Sequence, residues 1–428
     1  MNVFLDSVGC RLNQSEIEHM GGLFRRAGHA LVGRAEDCDL AVVNTCTVTA
    51  AAAADSRSLA RRIHRRNPSA RIVMTGCWSS LRPEAAHGLP GVFRVIPNAD
   101  KERLVPLVLG PQAEAFDLEP LERQRLPGLR MRTRAFIKAQ DGCDNRCSFC
   151  QTTIARGAAR SLPLLEVVAR VRSAVAGGAQ EIVLTGVQLT GYGRDLPQSI
   201  DLSTLIRAIL SETDVPRIRL SSLEPWGMPD GFFELWQDRR LCRHLHLPLQ
   251  SGCAATLRRM RRPVTPQKYA NLVERAREAI PDLALTTDLI TGFPGESRAE
   301  FSESLNFVHE LAFVRAHVFT YSPRPGTRAM ELPDQVDPKV AKDRSRRIRR
   351  TVEESEAAYR RLFLGEVLPV LWERAEGLGP GGWAMAGLTD NNLRVSATAP
   401  VDLWNQLSPV HLMSLTHDGL GGELAALS

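Results

Sequence analysis

Gln140-Asp-Gly-Cys-Asp-Asn-Arg-Cys-Ser-Phe-Cys150 carries three of the chain's nine cysteines, Cys143, Cys147 and Cys150, spaced C-x3-C-x2-C. No fourth cysteine or histidine lies close by. Three thiolates on one tight loop can hold three irons of a four-iron, four-sulfur cluster and leave the fourth iron open to a substrate. A structural zinc site wants four ligands, usually from two paired motifs. The chain has no second C-x2-C, so the ligand arithmetic reads as an iron–sulfur cluster.

Around this loop the chain alternates strands and helices. Candidate strands span 134–140, 181–185, 217–222, 244–249, 284–290 and 315–321, with helices such as 164–177, 202–211, 266–280 and 298–311 between them. Six units predict a partial (β/α)6 barrel, open on one side. Active sites of such barrels gather at the carboxyl ends of the strands, and the cysteine loop follows the first. Other strand ends carry Thr185, Gly186, Ser222, Glu224, Gln250, Asp288 and Gly292. Glycine lets backbone approach a ligand closely, and glutamate or glutamine can bond ribose hydroxyls. A strand-end glycine alone is more often a turn. As a set on one face, the seven are candidate cofactor-binding positions.

The first third repeats another pattern. Apolar strands run into Cys10, Cys46 and Cys77, and each is followed by a helical stretch. This predicts βαβ units on a parallel sheet, whose ligands bind beyond the carboxyl ends of the strands. One buried cysteine would be only a small hydrophobe. Three in the same topological place predict a second cluster. Cys38, Cys242 and Cys253 share no motif and read as structural thiols.

Length allows two or three domains, here 1–126, 127–364 and 365–428. No apolar run approaches a membrane span. The chain opens at once on a strand, which argues against a signal peptide. An odd number of cysteines without an export signal fits a reducing cytoplasm. The net charge is +6, unevenly spread: from Gly365 on there are seven acids against two bases, so the first 364 residues carry +11. That basic body suits a polyanion such as RNA. Arg57, Arg61, Arg62, Arg65 and Arg66 form one basic stretch. The other spans 337–361; it reads equally as a phosphate-tracking surface and as a solvated helix balanced by Glu353, Glu354 and Glu356. The tail predicts short strands at 367–372, 382–387, 393–396 and a last one at 409–414, with turns at 379–382 and 390–392, in a small antiparallel β-barrel.

The chain resembles the methylthiotransferases of the radical S-adenosylmethionine (SAM) superfamily over essentially its whole length. The carriers are Cys10-Arg-Leu-Asn-Gln-Ser-Glu16, Asn44-Thr-Cys46, Thr75-Gly-Cys77, the Cys143/Cys147/Cys150 loop with Ala155-Arg-Gly157, His246-Leu-Pro-Leu-Gln-Ser-Gly252 and Gly292-Phe-Pro-Gly-Glu296. The likeness is greatest to the bacterial branch acting on N6-threonylcarbamoyladenosine in tRNA, on Gln140-Asp-Gly142, Thr185-Gly-Val187 and Leu220-Ser-Ser-Leu-Glu224. Gln151-Thr-Thr-Ile154 departs from the family's more apolar stretch there.

The resemblance implies α/β architecture: an N-terminal parallel domain, a central radical-SAM barrel and a C-terminal TRAM-like barrel that grips RNA. It implies two 4Fe-4S clusters, one on Cys143, Cys147 and Cys150 that binds and cleaves SAM, one on Cys10, Cys46 and Cys77 that supplies sulfur. The partners would be tRNA, an electron donor and a sulfide source, for a cytoplasmic monomer not bound to membrane. Sister branches act on isopentenyladenosine in tRNA or on a ribosomal-protein aspartate, and the acidic tail keeps the latter in view. A non-catalytic Fe–S RNA-binding protein or electron carrier is the reading from another class.

Overall fold

The computed structural model describes residues 1–110, 133–198, 200–379 and 381–425. The expected boundary at 126/127 and Pro380 of the expected 379–382 turn lie outside the described residues. Five parallel strands form the first sheet: β1 (Asn2–Ser7), β2 (Ala30–Val32), β3 (Leu40–Thr45), β4 (Arg71–Gly76) and β5 (Val92–Ile96), in the order β2-β1-β3-β4-β5. Every residue of β3 is buried, as a central strand covered on both faces requires. Leu59 and Ile63 of helix Ala50–Arg66 cover Ala41, Val43 and Ile72 on one face. Ile17, Met20 and Phe24 of helix Arg11–Arg26 cover Val3, Val42 and Val73 on the other.

The central strands are β6 (Arg134–Lys138), β7 (Gln140–Asp141), β8 (Arg160–Ser161), β9 (Glu181–Thr185), β10 (Arg217–Leu220), β11 (His244–His246), β12 (Ala284–Thr291) and β13 (Arg315–Thr320). Strands β10-β9-β6 and β11-β12-β13 form two parallel sheets. Bridges Ile218–Leu241 and Ser222–His246 join them into one wall, and β7 and β8 pair beside the cysteine loop. Among the described residues nothing pairs β6 with β13. The barrel is open there, as the six units predicted, and helix Arg11–Arg26 packs against β6.

Alternation along these strands gives the barrel two different faces. Ile137, Ile182, Leu184, Ile218, Leu245, Leu285, Leu289 and Val318 point outward into the main core beneath the helices. Their neighbours Lys138, Thr185, Arg219, His246, Asp288 and His317 therefore point inward, into a polar lumen.

The tail closes into a barrel of β14 (Val367–Gly379), β15 (Gly382–Thr389), β16 (Arg394–Ala399), β17 (Leu407–Leu415) and β18 (Leu420–Leu424). Two expectations are corrected. Strand β18 follows the one expected to be last, hidden in Leu420-Gly-Gly-Glu-Leu424 by glycines of low strand propensity. It pairs parallel with β16, so the barrel is antiparallel at every pairing but that one.

The tail's acidity has a structural use. Arg243 holds Asp390 at 2.7 and 3.1 Å, and Arg134 holds Glu373 at 2.6 Å. Arg217 donates to the carbonyls of Leu388 and Pro369, and Arg219 to those of Thr389 and Asp390. These arginines sit at or near the amino ends of β6, β10 and β11, so the small barrel docks opposite the cysteine loop. Asp390→Ala leaves Arg243 with only Asp282, and loss of charged hydrogen bonds at this partly buried site should destabilise docking by about 1–3 kcal/mol. Earlier proteolytic cleavage between the barrels on heating would register it; unchanged cleavage would not fit this account.

Four of the nine cations on the basic helix, Pro338–Arg361, are held in ion pairs. Arg344 pairs with Glu296, Arg346 with Asp343, Arg350 with Glu354, and Arg360 with Glu356. Five cations remain outside these ion pairs, so both readings of the helix stay open. On helix Ala50–Arg66, by contrast, Arg61, Arg62 and Arg65 are exposed with no ion pair among the described residues.

Candidate active site

Cys10, Cys46 and Cys77 directly follow or closely follow β1, β3 and β4, three neighbouring strands, at one sheet edge. Gly9 draws the first two together. Its φ of +108° suits glycine, and it lies so close to Cys46 that any side chain would overlap that thiol. Cys77 is near enough to act electrostatically on both. Cys10 is exposed; Cys46 and Cys77 are buried, and burial pushes the Cys46 thiol up to about 11.

The second trio sits on the loop after β7. Gly142 has φ +69°, and a methyl there would overlap the Ala158 carbonyl; Cys143 N donates to Gly157 O at 3.0 Å. Gln140 anchors the loop by donating to the carbonyls of Asp141 and Gly142 and accepting from Gln188 N. Ser148 ties it to the Arg259–Met260 backbone. Gly142→Ala should therefore misplace Cys143 and lower bound iron per chain to about half, since the first trio is untouched; full iron content would contradict this role of the loop.

The donors suit iron–sulfur chemistry. Sulfurs of such clusters take hydrogen bonds that tune them. Here Cys46 accepts from Val48 N (3.5 Å), Cys77 from Asn98 Nδ2 (3.7 Å), Cys150 from Thr152 N (3.3 Å) and Cys147 from Arg262 Nη1 (3.9 Å). Among the described residues no three cysteine, histidine or carboxylate groups converge on a single metal ion. That disfavours zinc, while thiols that each take a separate iron need no such convergence.

Buried charges weld the two trios together. Arg156, six residues past Cys150, donates to Glu16 (2.9 Å), Asp141 (2.8 Å) and Asn13 (2.8 Å). Lys101 donates to Glu16 at 2.7 Å and to Asn44 at 3.2 Å. Asn13 also accepts from Cys10 at 3.7 Å, and Asn98 bridges Cys77 to Ala155 O. Burial alone would raise Glu16, but Arg156, Lys101 and Lys138 outweigh it and hold the carboxyl well below its usual range. The unusual Gln151 has a place too: it accepts from Thr47 beside Cys46 and donates to Pro325 O. Lys101 and Asn98 carried no sequence signal, being two of several polar residues in the short 3-10 helix Asn98–Arg103.

The seven expected cofactor positions divide. Thr185, Ser222, Glu224, Gln250 and Asp288 lie on or just beyond strand ends around the lumen. Burial raises the Glu224 carboxyl, which accepts from Thr190. Gln250 holds φ +75°, a strained conformation for a non-glycine residue of the kind that clusters at ligand sites. Asp288 faces His246 at 3.3 Å. Gly186 and Gly292 have packing reasons of their own: Gly186 abuts Gln140, and Gly292 abuts Ala341. Missed by sequence reasoning was Arg262, which stacks on Trp226 at 4.3 Å while reaching Cys147.

An open parallel barrel with this loop at its carboxyl edge defines the radical SAM class. The family model "Radical SAM superfamily" matches residues 137–308, and one described as "Uncharacterized protein family UPF0004" matches 2–96. The fold is similar to that of the radical SAM methyltransferase TsrM from Kitasatospora setae (TM-score 0.56, 16% identity, 77% of each chain). A Bacillus subtilis threonylcarbamoyladenosine tRNA methylthiotransferase is 34% identical over 96% of this chain and 93% of its own. A tRNA-2-methylthio-N(6)-dimethylallyladenosine synthase of Chloroflexus aurantiacus is 33% identical over 97% and 90%, and a ribosomal protein uS12 methylthiotransferase of that organism 32% over 87% and 88%. The chain belongs to the radical-SAM methylthiotransferase family. It is an enzyme that uses SAM and two 4Fe-4S clusters, which sets aside the non-catalytic Fe–S reading.

Proposed function

We propose that this enzyme converts N6-threonylcarbamoyladenosine in tRNA, beside the anticodon, to its 2-methylthio derivative. The observation that carries the chemistry is the pair of cysteine trios facing one another across a single buried charge network. Cys143, Cys147 and Cys150 would hold the cluster that engages SAM, and Cys10, Cys46 and Cys77 the cluster that supplies sulfur. SAM on a reduced cluster supplies hydrogen abstraction from an unactivated C–H bond, which no side chain can perform. The chain's own residues hold the two sites in register through Arg156 and Glu16, and they enclose the reaction. Thr185, Ser222, Glu224, Gln250 and Asp288 would line the cofactor; Gly186 and Gly292 shape the wall.

Similarity to threonylcarbamoyladenosine methylthiotransferases of Bacillus subtilis and Thermotoga maritima, each 34% identical, over 96% and 87% of this chain, supports the substrate. The domains would be 1–126, 127–364 and a TRAM-like 365–428. No described helix is long and apolar enough to cross a membrane, and a cytoplasmic monomer using an electron donor and a sulfide source fits the reaction. The exposed arginines of helix Ala50–Arg66 would meet RNA phosphates.

Nucleoside mass spectrometry of total tRNA, with and without this gene, tests the substrate. The expected result is loss of methylthio-threonylcarbamoyladenosine alone, restored by the wild type. Loss of the isopentenyl counterpart, or an unchanged profile with an unmodified ribosomal protein, would replace the substrate with one of the other two.

A further inference from the structure

The residue after Cys10 is an arginine with an unusual position. Arg11 begins the helix that packs along β6 at the open side of the barrel. Among the described residues its side chain makes no hydrogen bond or ion pair, and it is exposed. Yet it is within electrostatic reach of Arg134 on β6, Glu181 on β9, Arg219 on β10, His244 on β11, Asp288 on β12 and His317 on β13. Its helix packs on β6 at the open side of the barrel, so the exposed Arg11 side chain lies at that opening, facing titratable groups on all six strands.

Around it the other charges are spoken for. Arg219 is bound to Glu181, and Arg134 to Glu373. Asp288 pairs with His246, whose other ring nitrogen meets Thr286 at 2.9 Å. On the edge strand, His317 stands beside His246, and Phe319, 39% exposed, lies on the same face. An uncommitted guanidinium, a hydroxyl–imidazole–carboxylate chain and an open aromatic face thus share one cavity. A guanidinium without a carboxylate or phosphate is an unfilled fork for one, and an exposed aromatic ring is a stacking platform for a base. An apolar isopentenyl group would leave these polar groups desolvated and unpaired.

We propose that Arg11 is a specificity-determining residue that receives the carboxylate of the threonylcarbamoyl group when the target base enters the lumen. The base stacks at Phe319, and the threonyl hydroxyl meets the His246–Asp288–His317 side. This rests on the threonylcarbamoyladenosine reading above and extends it to a single residue.

The test is equilibrium binding of labelled anticodon stem-loops to the anaerobically reconstituted full chain. The three RNAs carry threonylcarbamoyladenosine, an N6-alkylcarbamoyl analogue without the carboxylate, or plain adenosine at the target position. Wild type should prefer the first over the second by about tenfold, the scale of one charge-assisted hydrogen-bonded pair. Arg11→Gln should bring that ratio to about one, with iron content intact, and Arg11→Lys should restore part of it. A ratio unchanged in Arg11→Gln overturns the role of Arg11 while leaving the substrate reading in place. A wild type that shows no preference for the threonylcarbamoyl RNA overturns the substrate reading itself, and the role of Arg11 with it.

Discussion

Cys147→Ala is expected to abolish 5′-deoxyadenosine formation, whereas Cys46→Ala should keep SAM cleavage and lose only the methylthio product. The two thiols sit in different sites with different supports. Cys147 lies on the barrel loop under Arg262. Cys46 ends β3 of the other domain, buried against Gly9. Losing one of three thiolates leaves two for a cluster that needs three protein ligands, so each variant should empty one site. Without the barrel cluster, no group in the chain can generate a species able to break the C–H bond, and turnover should fall to background. Anaerobic assay of nucleoside and product from the same reaction separates the two losses. Normal methylthio product from Cys46→Ala would remove the first trio from sulfur supply.

Arg156→Ala should be the most destabilising single substitution between the domains. The guanidinium is 1% exposed and is shared by Glu16, itself 2% exposed, and Asp141. Its removal leaves Lys101 as the direct partner of Glu16, takes the direct cation from Asp141, and leaves the Oδ1 of Asn13 with only the long contact from Cys10. Breaking a buried pair from one side typically costs about 3–5 kcal/mol, because a charge stays behind without compensation. Thermal unfolding should shift accordingly. Arg156→Ala combined with Asp141→Asn should recover part of the loss, since no carboxylate is then left without its direct partner while Glu16 keeps Lys101. If the double variant is as weak as the sum of the singles, the two residues do not act as a pair. The same variant reports on function: SAM cleavage should outlast sulfur insertion, because Arg156 aligns the sites and ligates neither.

Much of the fold was legible along the chain. The six barrel strands were read to within three residues at each end, because each is an apolar run bounded by turns. The cysteine trios were legible as well, since spacing on a loop and repetition at strand ends are local properties. Strand β18 was not, because its glycines are chosen for close approach to β17, where Gly422 abuts Val410, and propensity runs the other way. The tail's acidity was legible but not its partners: two of its seven acids, Glu373 and Asp390, are held by the barrel's arginines.

The sequence by itself determined where two trios of cysteines fall, at strand ends and on one loop, and the order of strands and helices that carries them, because both follow from residue type and spacing. Only the tertiary structure decided how those parts meet. Glu16, Lys101, Asp141 and Arg156 are far apart in the chain, and each alone is an ordinary charged residue. Burial makes them a joint, since charges taken from water must find one another. Arg11 likewise gains its meaning from what surrounds it: an exposed cation at the open side of a polar barrel, with no ion pair among the described residues.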